Sequence, residues 1–403
     1  MFSLLLAVIY LTFISLGLPD GLLGSAWPAM HVDLGAPIAA QSAISIMISG
    51  CTIVSSLLTA RLVARLGTGR LCACSVALTA LAIIGFSQVN AFWQLCVLAV
   101  PYGLGAGAID AALNNYVALE YGARHLSWLH CCWGVGASTG PIVMGWALGS
   151  AYGWPAGYLA IGMTQVAITL VLFASLPLWA RGRNSVRTSE ITGAEAIGTE
   201  SADTPSNREL LRLPGATASI ASFGIYCALE GAIGLWIASY LVMARSVDAA
   251  TAASIVSLFF LGITAGRFVS GAVASRLGSE RQIQIGQALI AVGIACLVFA
   301  PVKALLWLAV GLMGFGCAPI YPSIVALTPK RFGKRASQGL VSLQMACAYA
   351  GSSLVPPVFG LVAGAGGAAF IPYLLAILLI ADIAFAQAAS TETRRPHRPP
   401  SAS

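Results

Sequence analysis

The chain has 403 residues, of which 58% are hydrophobic and only 9% are charged. A soluble domain carries roughly 25% charged residues, so this composition excludes a soluble globular protein and indicates a chain that crosses a membrane many times. The formal net charge is +7, but among 21 Lys and Arg only Arg245, Arg267 and Lys303 lie outside the loops expected in the cytoplasm. The concentration of Lys and Arg in the cytoplasmic loops indicates how the chain is oriented in the membrane, and it does not indicate nucleic-acid binding.

Twelve apolar stretches can be placed, each near the roughly 20 residues that a spanning helix needs. The first stretch has no charged leading segment and no clear cleavage site, so we expect it to be retained. An even number of spans puts both termini on one side, and the Arg-rich loops make that side cytoplasmic. The predicted spans are 1–29, 38–62, 70–88, 91–119, 126–149, 155–179, 213–244, 250–275, 281–300, 304–328, 336–362 and 366–389.

Two polar segments divide the chain. Residues 181–212 are rich in Ser, Thr, Gly and Glu, which predicts a flexible cytoplasmic linker. The last residues, 391–403, are predicted to form a disordered cytoplasmic tail. We therefore expect an N-terminal six-helix bundle over 1–180 and a C-terminal six-helix bundle over 213–390.

One loop sequence recurs in the two halves. A-R-L-V-A-R-L-G-T-G-R follows the second predicted span, and G-A-V-A-S-R-L-G-S-E-R follows the eighth. Arg65 aligns with Arg276, and Arg70 aligns with Arg281, at the same offset of 211 residues (276 minus 65). A membrane chain that repeats at half its length commonly forms two similar bundles with a path between them. The repeat therefore predicts a transporter.

Carboxylates lie inside the predicted spans, where a charge costs at least about 2.5–3.5 kcal/mol and therefore usually faces a cavity or a partner. Asp20 follows Pro19 in G-L-P-D-G-L-L-G, a sequence that breaks the first helix. By the repeat offset Glu230 aligns with position 19, next to Asp20 (230 − 211 = 19). The two carboxylates would therefore face the path between the bundles from opposite halves. We expect Asp20, Asp110 and Glu230 to bind the coupling proton; the alternative is a protonated carboxyl that satisfies a kinked backbone.

Two further charged residues lie in the spans. Arg267 is near the cytoplasmic end of the eighth span, where we expect it to form part of a gate or to extend towards the interface. Asp382 lies late in the last span and is expected to reach towards the membrane surface. The predicted gating residues are Arg65, Arg70, Arg267, Arg276 and Arg281.

Polar and aromatic side chains near these acids predict a site for a small polar solute. Asp110 and Asn114 are four residues apart and share a helix face. His130 and Trp133, three residues apart, place a hydrogen-bonding group beside a flat ring, which suits a sugar. For the lone aromatic residues, packing or a place in the interfacial belt is the alternative. The predicted substrate-binding residues are Asn114, Asn115, His130, Trp133, Trp27, Trp236, Tyr240 and Gln344.

Twelve spans in two sixes, with the repeated loop after the second and the eighth, resemble the major facilitator superfamily over nearly the whole chain. In that family the loop has the pattern G-x-L-x-D-R-x-G-R-R. Leu62, Arg65 and Gly67 match it, whereas Ala64 and Ser275 stand at the acidic position. The resemblance implies two pseudo-symmetric six-helix bundles and alternating access, without the acidic arm of the family's gate.

Four clusters resemble the fucose permease-like, proton-coupled sugar transporters of bacteria: G-L-P-D-G-L-L-G-S-A-W-P, G-L-G-A-G-A-I-D-A-A-L-N-N-Y-V-A, L-H-C-C-W-G-V-G-A-S-T-G-P and A-P-I-Y-P-S. This resemblance implies that Asp20 and Asp110 take up the coupling proton, and that the chain is a symporter for a sugar or sugar derivative in the inner membrane. Sodium is an open alternative to the proton, because carboxylates and backbone carbonyls bind either.

A rival hypothesis rests on Gly136-x-x-x-Gly140-Pro141-x-x-x-Gly145, which approaches a motif of proton-driven drug antiporters, although Met144 replaces a second glycine. A non-transporting sensor would need a sizeable soluble domain. No nucleophile–base pair or phosphate-binding loop predicts an enzyme, and the ten cysteines fit no zinc spacing. We expect a monomer without metal or cofactor, whose partners are the solute, protons and membrane lipids.

Overall fold

The computed structural model describes residues 4–121, 123–179, 207–299 and 302–394, and these form helices joined by short turns. In chain order the helices are α1 (Leu4–Gly17), α2 (Leu22–Asp33), α3 (Ala40–Leu66), α4 (Thr68–Phe86), α5 (Phe92–Glu120), α6 (Ala123–Leu148), α7 (Gly153–Ala174), α8 (Asn207–Leu211), α9 (Ala216–Arg245), α10 (Ala249–Leu277), α11 (Ser279–Phe299), α12 (Ala304–Cys317), α13 (Ile320–Leu354), α14 (Pro356–Val362) and α15 (Ile371–Arg394). A π-helical turn and a 3-10 turn join α14 to α15. The predicted all-α class is confirmed.

Ten stretches of the described residues are long and apolar enough to cross a membrane, judged by length and composition. The sequence predicted twelve spans. One of the ten stretches, Arg335–Thr393, contains the last two predicted spans together. The fifth predicted span, 126–149, forms α6 but is not among the ten, because its histidine, serines, threonine, proline and glycines lower its hydropathy.

Proline residues lie at three breaks in the spans, and the first of these, beside Pro19, was predicted from the sequence. The first span divides at Asp20, since α1 ends at Gly17 and α2 begins at Leu22. The tenth span divides just before Ile320, and the eleventh divides between Leu354 and Pro356. At each break some backbone N–H and C=O groups lose their regular helical hydrogen bonds. These groups are then available to neighbouring side chains or to a ligand.

Glycine contacts bring α6 close to α1. A Cβ on Gly136 would overlap the carbonyl oxygen of Ile14, and a Cβ on Gly140 would overlap that of Leu18. Only glycine permits this approach of two backbones. The crossing places Trp133, one turn before Gly136, beside the break in the first span.

The second half repeats the crossing between α9 and α13. A Cβ on Gly351 would overlap the carbonyl oxygen of Gly224. The sequence pairs the segment from Gly136 with the segment from Gly351, and both segments pack against the first helix of their own bundle. The repeat is therefore visible in the packing as well as in the sequence.

The two bundles meet at the end that carries the α2–α3 turn, which we call the closed end. The Nε2 group of Gln41 in α3 donates to the carbonyl oxygen of Leu235 in α9 at 3.1 Å. Gly360 in α14 faces α3, since a Cβ there would lie 2.7 Å from Oγ of Ser42. Gly24 in α2 packs against the α9 backbone at the same end. These contacts hold the N-terminal half against the C-terminal half.

The predicted linker and tail lie partly outside the described residues. In the predicted linker, 181–206 are not described, whereas 207–211 form the short helix α8 instead of flexible chain. In the predicted tail, 395–403 are not described, and α15 continues to Arg394. Within that extension Glu392 accepts a hydrogen bond from the N–H of Gly215 at 2.8 Å, which ties the end of α15 to the start of α9.

Asp382 is fully buried, so the prediction that it extends towards the membrane surface is wrong. Its Oδ1 accepts a hydrogen bond from Oγ of Ser222 at 2.7 Å, and its Oδ2 accepts one from Nε2 of Gln287 at 2.9 Å. The side chain thus joins α15 to α9 and α11. Its burial is tolerated because both oxygens have donors.

Candidate transport site

Asp20 lies at the helix break and faces an internal cavity. The indole Nε1 of Trp133 donates to its Oδ2 at 2.6 Å, which joins α6 to the turn between α1 and α2. The side chain is exposed although helices surround it, because the cavity reaches it. An acid at this position can therefore exchange a proton with cavity water while staying within the bundle.

The cavity beside Asp20 has a volume of about 130 Å³ and a partly polar wall. At about 30 Å³ per water molecule, it has room for roughly four. Its lining includes Ser45, Ser49, Tyr102 and Tyr158. The hydroxyl of Tyr158 is buried and has no hydrogen-bond partner among the described residues.

Asp110 and Asn114 form the expected pair on α5. The Nδ2 group of Asn114 donates to Oδ1 of Asp110 at 2.8 Å, and it also contacts the backbone carbonyl of Asp110 at 3.0 Å. Both residues are half-buried. The side chain of Asn115 lies outside the described residues.

His130 and Trp133 lie on the face of α6 towards the path between the bundles. The His130 ring packs edge-on against Phe13, with centroids 5.7 Å apart. The guanidinium carbon of Arg267 lies 5.3 Å from the centroid of the Trp133 ring, within cation–π range. Phe260 packs edge-on against the same ring at 6.4 Å. Trp133 thus contacts an acid at its edge and a cation at its face.

Glu230 is half-buried in the C-terminal bundle, where the hydroxyl of Tyr226 bonds with its Oε2. The same hydroxyl contacts the carbonyl oxygen of Cys317 at 2.8 Å. The tyrosine hydroxyl is the donor in both contacts, so Glu230 is held by a neutral donor, as Asp20 and Asp110 are.

Two predicted substrate-binding tryptophans are packing residues in this structure. Trp27 is fully buried, and its Nε1 donates to the carbonyl oxygen of Ile38 at 2.7 Å. Trp236 is also fully buried, and its Nε1 donates to the carbonyl oxygen of Pro356 at 2.8 Å. Both bonds fix the backbone near the closed end, so neither ring is presented to a solute.

Tyr240 and Gln344 likewise face the interior of the C-terminal bundle. Tyr240 is buried and donates to the carbonyl oxygen of Leu297 at 2.9 Å. The amide of Gln344, fully buried, donates to Oγ of Ser219 at 3.0 Å and accepts from Oγ1 of Thr328 at 3.1 Å. The Tyr240 hydroxyl and the Gln344 amide, which the sequence predicted to bind the substrate, are therefore engaged in bonds within the bundle.

The four loop arginines predicted to act in gating are exposed and do not line the cavity: Arg65, Arg70, Arg276 and Arg281. An acid missed by the sequence analysis lies beside the second copy of the loop. Glu280 pairs with Arg331 at 3.0 Å and accepts a hydrogen bond from Oγ of Ser390 at 3.2 Å. Its counterpart in the first copy is Gly69 (280 − 211 = 69), which packs against Trp179. The two copies of the loop are therefore held differently.

Tyr321 and Tyr349, which lie on either side of the backbone kink at Gly333 in α13, are further site residues that the sequence analysis missed. Both lie within electrostatic range of Asp110, which belongs to the other bundle. Tyr321 stands in the cluster A-P-I-Y-P-S, so that cluster could have indicated it. Tyr349 has no comparable signal. Among the described residues, no group of three or more His, Cys, Asp or Glu side chains is placed to hold a metal ion.

Two helical bundles, acids inside the apolar spans with one of them at a helix break, and a partly polar cavity define a multi-pass membrane transporter. The chain matches the model of the Major Facilitator Superfamily twice, over residues 9–245 and 218–403. The chain therefore belongs to the Major Facilitator Superfamily.

Several proteins of known sequence or structure are similar to it. "Membrane protein MosC" of Rhizobium meliloti is 26% identical over 288 residues, which is 71% of this chain and 65% of that protein. "Bypass of stop codon protein 6" of Saccharomyces cerevisiae is 21% identical over 320 residues, which is 74% of this chain and 64% of that protein. The chain thus spans just under two thirds of the length of these curated relatives.

Solved structures show the same fold over nearly the whole chain. A bacterial homologue of the human lysosomal transporter Spinster, in an inward-facing and occupied conformation, has a TM-score of 0.73 at 11% identity and covers 96% of each chain. A mutant of the nucleoside transporter NupG also has a TM-score of 0.73, at 15% identity, and covers 98% of this chain and 100% of its own. At these identities the likeness supports the fold alone.

Proposed function

We propose that the chain is a proton-coupled symporter that carries a small polar solute, a sugar or sugar derivative, into a bacterial cytoplasm by alternating access. The observation that carries this proposal is the position of Asp20, a carboxylate at a helix break that lines a cavity and is held by Trp133. The protein acts as a monomer in the inner membrane with both termini in the cytoplasm. Its partners are the solute, protons and lipids.

Two aspartates supply the proton chemistry. Asp20 is bonded to an indole N–H and Asp110 to an amide N–H, so neither is locked in an ion pair. A carboxylate held by neutral donors can gain and lose a proton without separating opposite charges. Glu230, bonded to a tyrosine hydroxyl, provides a third such acid in the other bundle. Proton uptake and release can then accompany the movement of solute.

The side chains between the bundles suit a polar solute with an apolar face. Asn114 offers an amide, and Tyr321 and Tyr349 offer hydroxyl groups near Asp110. The ring of Trp133 offers a stacking surface. Sugars fit this combination, and nucleosides join them as candidates because NupG, a nucleoside transporter by name, shares the fold.

Alternating access needs an end that opens and an end that closes. The contacts of Gln41 with Leu235, and of Gly360 with Ser42, hold the bundles together at the closed end. That end lies opposite the chain termini, so with cytoplasmic termini the side away from the cytoplasm is the one held closed in this conformation. The Spinster homologue with a similar fold was solved in an inward-facing conformation.

Uptake into proteoliposomes under an imposed pH gradient tests the proposal. A radiolabelled panel of sugars and nucleosides should include a compound whose uptake depends on the gradient, and Asp20→Asn or Asp110→Asn should abolish that dependence. Asp33→Asn is the matched control, because the Nε1 of Trp154 donates to Asp33 at 2.7 Å outside the cavity. Uptake that ignores the gradient, or that survives in Asp20→Asn, would refute proton coupling at this site.

The second candidate function is proton-driven efflux. It is favoured by the packing of Gly136 and Gly140 against the first span, next to Asp20, in the segment that resembles the antiporter motif. Phe13 and Phe260 add apolar walls near His130 and Trp133 that could hold a lipophilic compound. Expression in an efflux-deficient host distinguishes the two functions, since drug resistance that disappears with Asp20→Asn supports efflux.

A further inference from the structure

The charges embedded in the membrane are paired unevenly. Asp20, Asp110, Glu230 and Asp382 each bond to a neutral donor. Arg267 has no carboxylate oxygen within 4.0 Å in the part of the chain that the structure describes. A half-buried guanidinium without an anion is costly in a membrane protein. The distribution of partners indicates that the counter-charge comes from outside the chain.

Arg267 is positioned where a bound solute would contact both bundles. It lies in α10 over the ring of Trp133 in α6, at 5.3 Å. It is also within electrostatic range of His130 and of Tyr321 in α13. A guanidinium stacked on an aromatic face keeps its in-plane N–H donors for other partners, and those donors match the two oxygens of a carboxylate.

We propose that Arg267 binds an anionic group of the solute, and that the substrate is a carboxylate-bearing sugar or a related polar acid. The hydroxyl face of such a compound would contact Tyr321 and the amide of Asn114, while Trp133 stacks on its ring. The guanidinium anchors the carboxylate in a bidentate pair.

The inference rests on the proposed proton symport. The titratable groups around the path are Asp20 on the α1–α2 turn, Asp110 on α5, His130 on α6, Glu230 on α9, and Tyr321 and Tyr349 on α13, opposite Arg267 on α10. Ionised, the three carboxylates would repel an anion. When they carry protons, the guanidinium of Arg267 is the remaining charge beside the path, so proton and anion enter together.

Binding to the purified protein at low salt tests the inference. The probes are matched triplets: glucose, glucuronate and glucosamine, and galactose, galacturonate and galactosamine. We expect the acid of at least one triplet to bind more tightly than its neutral and amino partners, measured by thermal shift and calorimetry. Arg267→Gln should weaken acid binding by about 10- to 100-fold, the change expected when a charge-assisted hydrogen bond is lost.

Two other variants make the result specific to the guanidinium. Arg267→Lys keeps the positive charge and should retain part of the preference for the acid, which also tests the site if Arg267→Gln folds poorly. Arg212→Gln removes an exposed arginine and should change nothing. A preference for the neutral or amino sugar, equal binding across both triplets, or an acid preference that survives Arg267→Gln would overturn the inference.

The experiments distinguish a failure of the anion site from a failure of the proposed proton symport. Gradient-driven uptake of a neutral sugar, lost in Asp20→Asn, would leave symport intact while removing the anionic substrate. Acid binding that depends on Arg267 together with gradient-independent uptake would keep the anion site while removing proton coupling.

Discussion

Gly24 in α2 is the position where the smallest change should disturb the closed end. A Cβ there would lie 2.6 Å from the carbonyl oxygen of Gly234 and 3.1 Å from that of Leu235. Both neighbours are backbone atoms of α9, so they cannot rotate away as a side chain would. Gly24→Ala can be accommodated only if α2 and α9 separate.

The expected size of the effect follows from the overlap. Overpacking a close contact costs about 1–3 kcal/mol. Alanine also favours the helix by about 1 kcal/mol, but it does so in every conformation of α2 and leaves the balance between conformations unchanged. Gly24→Ala should therefore shift the population away from the closed contact by roughly 5- to 150-fold.

Hydrogen–deuterium exchange of the protein in lipid nanodiscs measures this shift. Peptides that contain Gln41 and Leu235 should exchange faster in Gly24→Ala, because their bond at 3.1 Å is broken when the bundles part. Gly50→Ala is the control, since a Cβ at Gly50 has no atom within 4 Å. Equal exchange in the two variants would refute the reasoning, and so would a rise spread evenly over both bundles, which would indicate general unfolding.

Three further predictions concern stability and are measured by thermal unfolding of the purified protein. Asp382→Ala should lower the free energy of unfolding by about 1–3 kcal/mol for each buried donor left without an acceptor. Trp236→Phe keeps the ring but removes the donor to Pro356, and should cost about 0.5–1.5 kcal/mol. Asp248→Ala should cost about 1 kcal/mol at neutral pH, because its carboxylate caps the N–H of Thr251 at 2.8 Å at the start of α10. The hydroxyl and N–H of Thr251 hold the pKa of Asp248 below its usual range, so this contribution is present above the ordinary pKa and disappears as pH falls through the lowered value.

Each of these predictions has its own control. Asp382→Asn keeps the shape and one acceptor oxygen, so it should cost less than Asp382→Ala; equal losses would mean that the hydrogen bonds contribute little. Trp93→Phe changes an exposed indole and should leave the melting temperature unchanged. If the difference between wild type and Asp248→Ala stayed constant at acidic pH, the cap would not depend on the charge of the carboxylate.

Local properties of the sequence determined the class of this protein. The length of the apolar stretches predicted the helices, and Pro19 predicted the break at Asp20, because both are properties of a single span. The repeated Arg-Leu-Gly loop predicted the duplication, because it is found by aligning one half of the sequence with the other. The Asp110–Asn114 pair was also predictable, because four residues make one helical turn.

The tertiary structure alone decided which partner each polar group has. Asp20 meets Trp133 and Asp382 meets Ser222, at sequence separations of 113 and 160 residues. Membrane helices are apolar on nearly every face, so the pattern of one helix does not show which side faces the cavity and which side packs. For that reason Trp27 was assigned to substrate although its indole holds a buried carbonyl, and Asp382 was assigned to the membrane surface although it lies inside the bundle.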